Sequence, residues 1–389
     1  MALLTRKQLL LAKIESTSGT DSIPTVGNNA VLLRSVEVTP LDSGTAARDK
    51  ISPFLQNTEQ LLTDTKVLIS MEIEMSGSGT AGTASRIDPL LRACGFAAST
   101  TGAAETGTAQ AGSAGSITLA SNENSNDNYY NGMVITITSG TGNGHKGLIV
   151  DYNGTTKVAT VKASTAAFTP GSSSGYSISA NVNYKPVSSS FESTTIYFFN
   201  GSTILHKAVG CRGTFSLSIE TSGIPVFSFE MTGIYVAPTD TTPGAATFAN
   251  QSNPVVAKAG NTVATSILGY DSANVQSISF DVANEIIFRQ LIGSDKEVLI
   301  ANREPSGEAV IELPTIAQKD YFSIANSDSS TNIVCFQHGT TAGNIVSFVA
   351  PKVDLINPTL ADQDGIQHIT LPLTYLPESG NDEVVLTFQ

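Results

Sequence analysis

From residue 66 to 75, apolar and polar positions alternate. Val67, Ile69, Met71, Ile73 and Met75 fall on one side of an extended chain, and Ser70, Glu72 and Glu74 on the other. The same period of two returns at 214–220, 227–232, 278–282 and 308–313, each time with Ser, Thr or an acid as the polar partner. Such alternation predicts half-buried antiparallel strands, with one face in a core and one in water. A wet face of hydroxyls and carboxylates is chemically quiet and repels anions. It suits a surface to be slid past better than a reactive pocket.

Between these strands the chain reads as follows. Residues 1–30 look like an arm that docks on something, ending in a turn-rich stretch at 18–29, and a strand is expected at 30–38. Residues 41–65 have no clean period and contain Pro53. They read as a long loop ordered against a neighbour, since loops above roughly 12–15 residues are usually functional. After the acidic strand comes a Gly/Ser/Thr hinge at 76–85, then a short helix from Asp88 to Gly95. Asp88 caps that helix, Pro89 sits in its first turn and Gly95 closes it.

Composition then shifts to Ala, Gly, Thr and Ser at 97–116, which predicts a flexible linker. A small β-module follows, with strands expected at 116–120, 132–139, 146–152, 156–163 and 175–180 and a hairpin turn at Asn153-Gly154. Residues 108–183 are therefore expected to be a domain inserted into a loop of the main fold. A soft stretch at 238–253 separates the front half from the back half. The halves share a pattern: 196–203 resembles 334–341, and 223–232 resembles 365–374. Each pair follows an alternating acidic strand and a short Pro-initiated helix, which points to an internal duplication.

A length of 389 residues allows two or three domains at about 150 residues each. The net charge is −13, from 34 acids against 21 bases. Nucleic-acid binders gain affinity through Lys and Arg, so contact with DNA is expected to be repulsive. Cys94, Cys211 and Cys335 are far apart and flanked by apolar residues, and read as small buried hydrophobes. The apolar run at 9–12 is too short for a signal core, and no stretch reaches the ~18 apolar residues of a membrane span.

No motif carries chemistry. Gly142, Gly144 and Gly147 fit a dinucleotide fingerprint on paper, but 148–150 reads as a strand where the fingerprint needs a helix. Residues 171–175 fit a nucleophile elbow formally, inside a low-complexity loop. His145, His206, His338 and His368 lack metal-ligand spacing. Glu72 and Glu74 share a strand face instead of flanking a cleft. No enzyme activity, cofactor or metal is expected.

The chain resembles the major tail tube proteins of long-tailed, non-contractile bacteriophages. The resemblance is carried by the runs at 12–21 and 75–83, by Val31-Leu32-Leu33-Arg34-Ser35 and its continuation to Pro40, and by Pro89-Leu90-Leu91-Arg92-Ala93-Cys94-Gly95-Phe96. It continues in Tyr184-Lys185-Pro186-Val187-Ser188 and Gly210-Cys211-Arg212-Gly213-Thr214-Phe215. It covers the first 100 residues and 184–238 well, and 255–389 less well. It implies a mainly β fold: two β-sandwich or half-barrel domains, each with a short flanking helix, plus the small inserted all-β module. The first domain would be 1–107 with 184–240, the module 108–183, and the second domain 254–389.

The resemblance also implies rings stacked into a hollow tube in the virion tail, made in the host bacterial cytoplasm. Six domains per ring would make the ring a homotrimer of two-domain chains. Other tail proteins would meet the tube ends, DNA would pass without specific binding, and nothing would insert in a membrane. Glu37, Glu72, Glu74, Glu220, Glu230, Asp281, Glu308 and Glu312 are the expected lumen-lining acids. The loop at 41–65 and the arm at 1–30 would bridge to the next ring, and the module would hang outside. The alternative is a tail-associated module that attaches to a host-surface glycan or protein. Exposed tyrosines among Tyr129, Tyr130, Tyr152 and Tyr176 would favour it.

Overall fold

The computed structural model describes residues 4, 6–165, 167–201, 203–293, 295–327 and 332–389. Residues 1–3 and 5 of the expected arm, and Ser202 of the repeat, lie outside the described residues. The alternating segments are strands of a mainly β structure. In chain order these are β1 (Gln8–Ile14), β2 (Ala30–Val31), β3 (Ser35–Ala47) and β4 (Gln60–Glu74), then α1 (Asp88–Ala93) and β5 (Phe96–Thr101). The module follows as β6 (Glu105–Thr108), β7 (Ala111–Ser113), β8 (Ser116–Thr118), β9 (Val134–Ser139), β10 (Lys146–Asn153), β11 (Val158–Ala163) and β12 (Gly175–Ile178).

The chain returns to the main body through β13 (Asn181–Pro186), β14 (Thr194–Asn200), β15 (Ile204–Glu220) and β16 (Val226–Asp240). The back half holds β17 (Thr262–Ile267), β18 (Val275–Asp281), β19 (Asn284–Arg289), β20 (Glu297–Arg303) and β21 (Ser306–Glu312). It closes with α2 (Tyr321–Ala325), β22 (Asn332–His338), β23 (Val346–Leu355), β24 (Thr359–Gln363), β25 (Ile366–Tyr375) and β26 (Val385–Phe388).

The duplication is visible in the pairing. The front half pairs in the order β3–β4–β16–β15–β14–β1. The back half pairs in the order β18–β21–β25–β23–β22–β17. A short helix stands at the same place in each path, between the second strand and the fifth. The two long strands β15 and β16 each run through both layers of the sandwich. They bend at a register shift between Val209 and Arg212, where Gly210 takes a φ of +61°. In the back half the counterpart of β15 is split into β23 and β24. Asn357, at a φ of +52°, and Pro358, which has no amide hydrogen to give the ladder, make the break.

The inner layer is one continuous antiparallel sheet, β3–β4–β16–β15–β18–β21–β25–β24, with both repeats contributing four strands. The outer layer holds β2–β1–β14 with the first part of β15, and β17–β22–β23–β26–β13–β5. One apolar core fills the space between layers, from Leu10 and Ile196 to Phe280, Phe336 and Phe348.

Several expectations are corrected. The N-terminal segment is not an arm: Leu10, Leu11 and Ala12 are buried, and β1 pairs along its length with β14. Glu15, just after β1, is also buried. Its carboxylate accepts bonds from the Gly19 and Gly210 amides and from the Ser193 and Thr195 hydroxyls at 2.7–2.8 Å. These contacts fasten the segment to its own chain. Residues 41–65 are not one long loop: they are the outer part of a long β3–β4 hairpin, paired out to Ala47 and Gln60, and the loop is confined to residues 48–59. The 97–116 stretch is strand and turn, with β5 paired to β13. Asp88 is the first helical residue, not the cap; its carboxylate takes the Tyr184 hydroxyl at 2.9 Å.

The module's seven-stranded sheet runs from Glu105 to Ile178, so residues 181–183, placed in the module by sequence, are instead the start of β13 in the main sandwich. The module does not hang free. Val134, Leu148 and Val150 pack against Cys335, Ile345 and Val349 of the second repeat, and the side chain of the last residue, Gln389, bonds both the amide and the carbonyl of Val134.

Candidate functional site

All eight singled-out acids lie on the inner sheet, on the face turned away from the core. Each alternates with core residues: Glu72 and Glu74 sit between Met71, Ile73 and Met75, and Glu230 between Phe229 and Met231. Glu37 on β3, Glu220 on β15, Asp281 on β18, and Glu308 and Glu312 on β21 follow the same rule. Glu312, at the end of its strand, accepts the Asn274 amide at 2.6 Å.

Cross-strand register explains why the polar partners are so often Ser and Thr. One row across the sheet reads Ser35, Glu72, Ser228, Ser216, Asp281, Ser306, Thr374. A second reads Glu37, Ser70, Glu230, Thr214, and a third contains Ser218, Ser279, Glu308, Pro372. No two of the eight acids stand directly opposite one another. Like charges directly opposite are destabilising, and small hydroxyl residues between them let one face carry many acids at low cost. Within the strands of this sheet the basic residues are Lys66, Lys207 and Arg212, and Lys207, on the part of β15 that runs into the outer layer, sits 3.1 Å from Asp21. Lys66 sits 3.4 Å from Asp42, and Arg212 is buried, donating to the Phe191, Glu192 and Val298 carbonyls. Arg34, just before β3, is 3.8 Å from Glu72.

The sheet is open at both ends. The outer edge of β3, beyond its pairing with β4, has no backbone partner among the described residues, nor has the outer edge of β24, beyond β25. Sequence reasoning missed β24, although a signal was present. Asp364 and Gly365 both take positive φ and close a two-residue hairpin with β25, the turn that Asp-Gly favours. The β3–β4 hairpin extends beyond the sheet, and Ile51, Phe54, Leu55 and Leu62 near its tip are exposed.

The structure offers little to the competing readings. Tyr130, Tyr152 and Tyr176 are buried in the core of the module, so they form no aromatic binding surface, and Tyr129 packs against that core. The Tyr130 and Tyr176 hydroxyls both donate to Glu123. Among the described residues no cluster of His, Cys, Asp and Glu could hold a metal ion, and no helix is long and apolar enough to cross a membrane. A cavity of about 590 Å³ lies against the module and both repeats. Its acids are engaged, Asp271 by Lys162 and Ser266 and Glu312 by Asn274. The three cysteines are buried and unpaired, and burial pushes the Cys335 thiol up to about 12.

Unpaired sheet edges are templates for pairing with further strands, and the inner sheet leaves both of its edges open. The fold thus defines a mainly β protein with no catalytic or metal cluster among the described residues. The sequence pattern of one family, described as phage tail tube protein, matches residues 5–387, and the chain belongs to that family. It is a virion structural protein of the phage tail, and copies of it assemble into the tail tube. A comparison with curated proteins finds no match.

Proposed function

We propose that the acidic face of the inner sheet lines the bore of a long, non-contractile tail tube, and that phage DNA slides along it without specific binding. The observation that carries this reading is the gathering of Glu37, Glu72, Glu74, Glu220, Glu230, Asp281, Glu308 and Glu312 on one core-free face of one continuous sheet. Tight phosphate contact needs Lys and Arg that can release counterions, and this face holds its cations in ion pairs or buried. Two repeats per chain make a ring of three chains a pseudo-hexamer. The apolar tip of the β3–β4 hairpin reaches the next ring, other tail proteins cap the tube ends, and the module stays on the outside because it packs on the outer layer.

The test is charge reversal of Glu72 and Glu74 to Lys. Both side chains are partly solvent-exposed and point away from the core, so tubes still form. DNA release into solution, followed by dye fluorescence, slows several-fold at low ionic strength and recovers as salt approaches 1 M, where the screening length falls to roughly 3 Å. Release rates equal to wild type at every salt concentration would sink the bore assignment.

A further inference from the structure

The two repeats meet inside one chain, and that junction supplies a template for the contact between chains. The end of β15 in the first repeat pairs antiparallel with β18 of the second: Ser216 opposite Asp281, Leu217 opposite Phe280, Ser218 opposite Ser279. Leu217 and Phe280 are buried on the core side, and the serines and Asp281 face away from it. The duplication gives each partner an equivalent in the other repeat. Both β18 and β3 are the first strand of their path, and Ser279, opposite Glu308, corresponds to Glu37, opposite Ser70. The counterpart of the end of β15 is β24, where Leu360 opposite Ile369 matches Leu217 opposite Phe227. In the first repeat the outer edge of this strand is covered by β18. In the second it is bare, and Leu360 is 56% exposed.

Resting on the tube reading, we infer that β24 of one copy pairs antiparallel with β3 of the next copy, Leu360 opposite Val38 and Ala361 opposite Glu37. Leu360 then closes the core between layers as Leu217 does at the internal junction. Ala361 gives Glu37 a small, uncharged neighbour on the acidic face, as Ser218 does for Ser279. The register becomes less apolar toward the end of the strand, where Asp362 meets Val36.

The contact uses different surfaces of each copy, so repetition does not stop at a dimer, and it closes a ring when the rotation from copy to copy divides a full turn. The internal junction also shows where the hairpin goes. The β19–β20 hairpin folds back over the first repeat, with Asn284 bonding the Cys94 carbonyl at the end of α1 and Arg212 bonding the Val298 carbonyl. The same operation carries the base of the β3–β4 hairpin over α2 of the neighbouring copy, where Phe322 and Ile316 are exposed.

Cysteine cross-linking tests the register. Directly opposed residues have Cβ atoms about 5 Å apart, diagonal ones about 7–8 Å. The full chain carrying Glu37→Cys and Ala361→Cys together, oxidised after assembly, gives a ladder ending in a closed ring on a non-reducing gel. Each single variant alone gives monomer, and a mixture of the two single variants gives dimer. Ser35→Cys with Ala361→Cys, one step diagonal, cross-links at least tenfold less. The native cysteines are buried and add no background. As a second readout, Leu360→Asp leaves the melting of the monomer unchanged and raises the concentration needed for assembly at least tenfold. Tubes that form without the Glu37→Cys/Ala361→Cys cross-link, or that form equally well with Leu360→Asp, overturn the inference and leave the tube reading standing. Wild-type protein that stays monomeric under the microscope overturns both.

Discussion

His338, which from sequence reads as a surface or packing residue near a hairpin, shows how the core sets the chemistry of a side chain. Its ring is 2% exposed; one ring nitrogen is 3.1 Å from the Val255 carbonyl, and the other is 3.0 Å from the Thr262 hydroxyl. A carbonyl only accepts, so the first nitrogen carries the hydrogen and the second accepts from Thr262. Burial disfavours the imidazolium and holds the pKa below the ordinary 6.5, against the opposing pull of the Val255 carbonyl. The unfolded chain therefore binds a proton at a higher pH than the folded one. The stability contributed by neutral His338 is present above pH 6.5 and is lost as pH falls from there through the folded value. Urea unfolding at pH 7.5 and pH 5.5 is expected to show a loss in the wild type of at most about 1.4 kcal/mol per pH unit from this group. In His338→Gln that part of the loss disappears. Equal losses in the two proteins would show that His338 is not the titrating group. His206, whose pKa burial also lowers, titrates alike in both.

Among the elements, those with strict alternation were legible and those with mixed composition were not. The expected module strands fall close to β8 to β12, and the acidic strands became β4, β15, β16, β18 and β21. The stretch at 97–116 looked like a linker because Ala, Gly, Thr and Ser carry little hydrophobic signal. Strand β5 forms nonetheless, because β13 supplies a complete ladder beside it. The β3–β4 hairpin escaped because its outer half has no core to face, so period two has nothing to pattern. Gly210 was part of a recognisable run, but its role at the bend of β15 depends on packing between layers. Its φ of +61° lies in the left-handed region, and a Cβ there would approach Ile234 Cδ1 at 3.2 Å. Left-handed backbone costs an ordinary residue roughly 1–2 kcal/mol. Gly210→Ala is therefore expected to lose about 2 kcal/mol in chemical denaturation with the fold retained. A loss below about 0.5 kcal/mol would mean the bend tolerates a side chain and is not set by glycine.

For the whole molecule, the acidic face could be read from sequence because side-chain alternation is local. The open edges and the docking of the module could not, because they depend on which strands end up adjacent. The module is inserted at a hairpin: Thr101 and Asn181 stand directly opposite each other in the β5–β13 pair. The chain can thus be reclosed there with a two-residue Asn-Gly turn. A module that merely hangs outside, as 108–183 is expected to from sequence, would be dispensable for assembly. The structure argues otherwise, because cutting out 108–183 removes Asn181–Asn183, the first half of β13, together with their pairing to Ser99–Thr101 of β5 and to Thr387 and Phe388 of β26. Even the cleaner deletion of 102–180 uncovers Cys335, Ile345 and Val349, which are buried against the module. Exposing three such side chains forfeits roughly 5 kcal/mol of burial, a large share of the ~5–15 kcal/mol that keeps a domain folded. The reclosed chain is therefore expected to aggregate on expression instead of forming tubes. Adding Cys335→Ser, Ile345→Thr and Val349→Thr to the same deletion gives the uncovered face polar groups and restores soluble protein and tubes. Sedimentation and negative-stain microscopy of the two deletion variants distinguish the cases. Wild-type yields of tubes from the deletion without the three substitutions would mean that the module is a tethered ornament whose apolar contact contributes nothing to the fold.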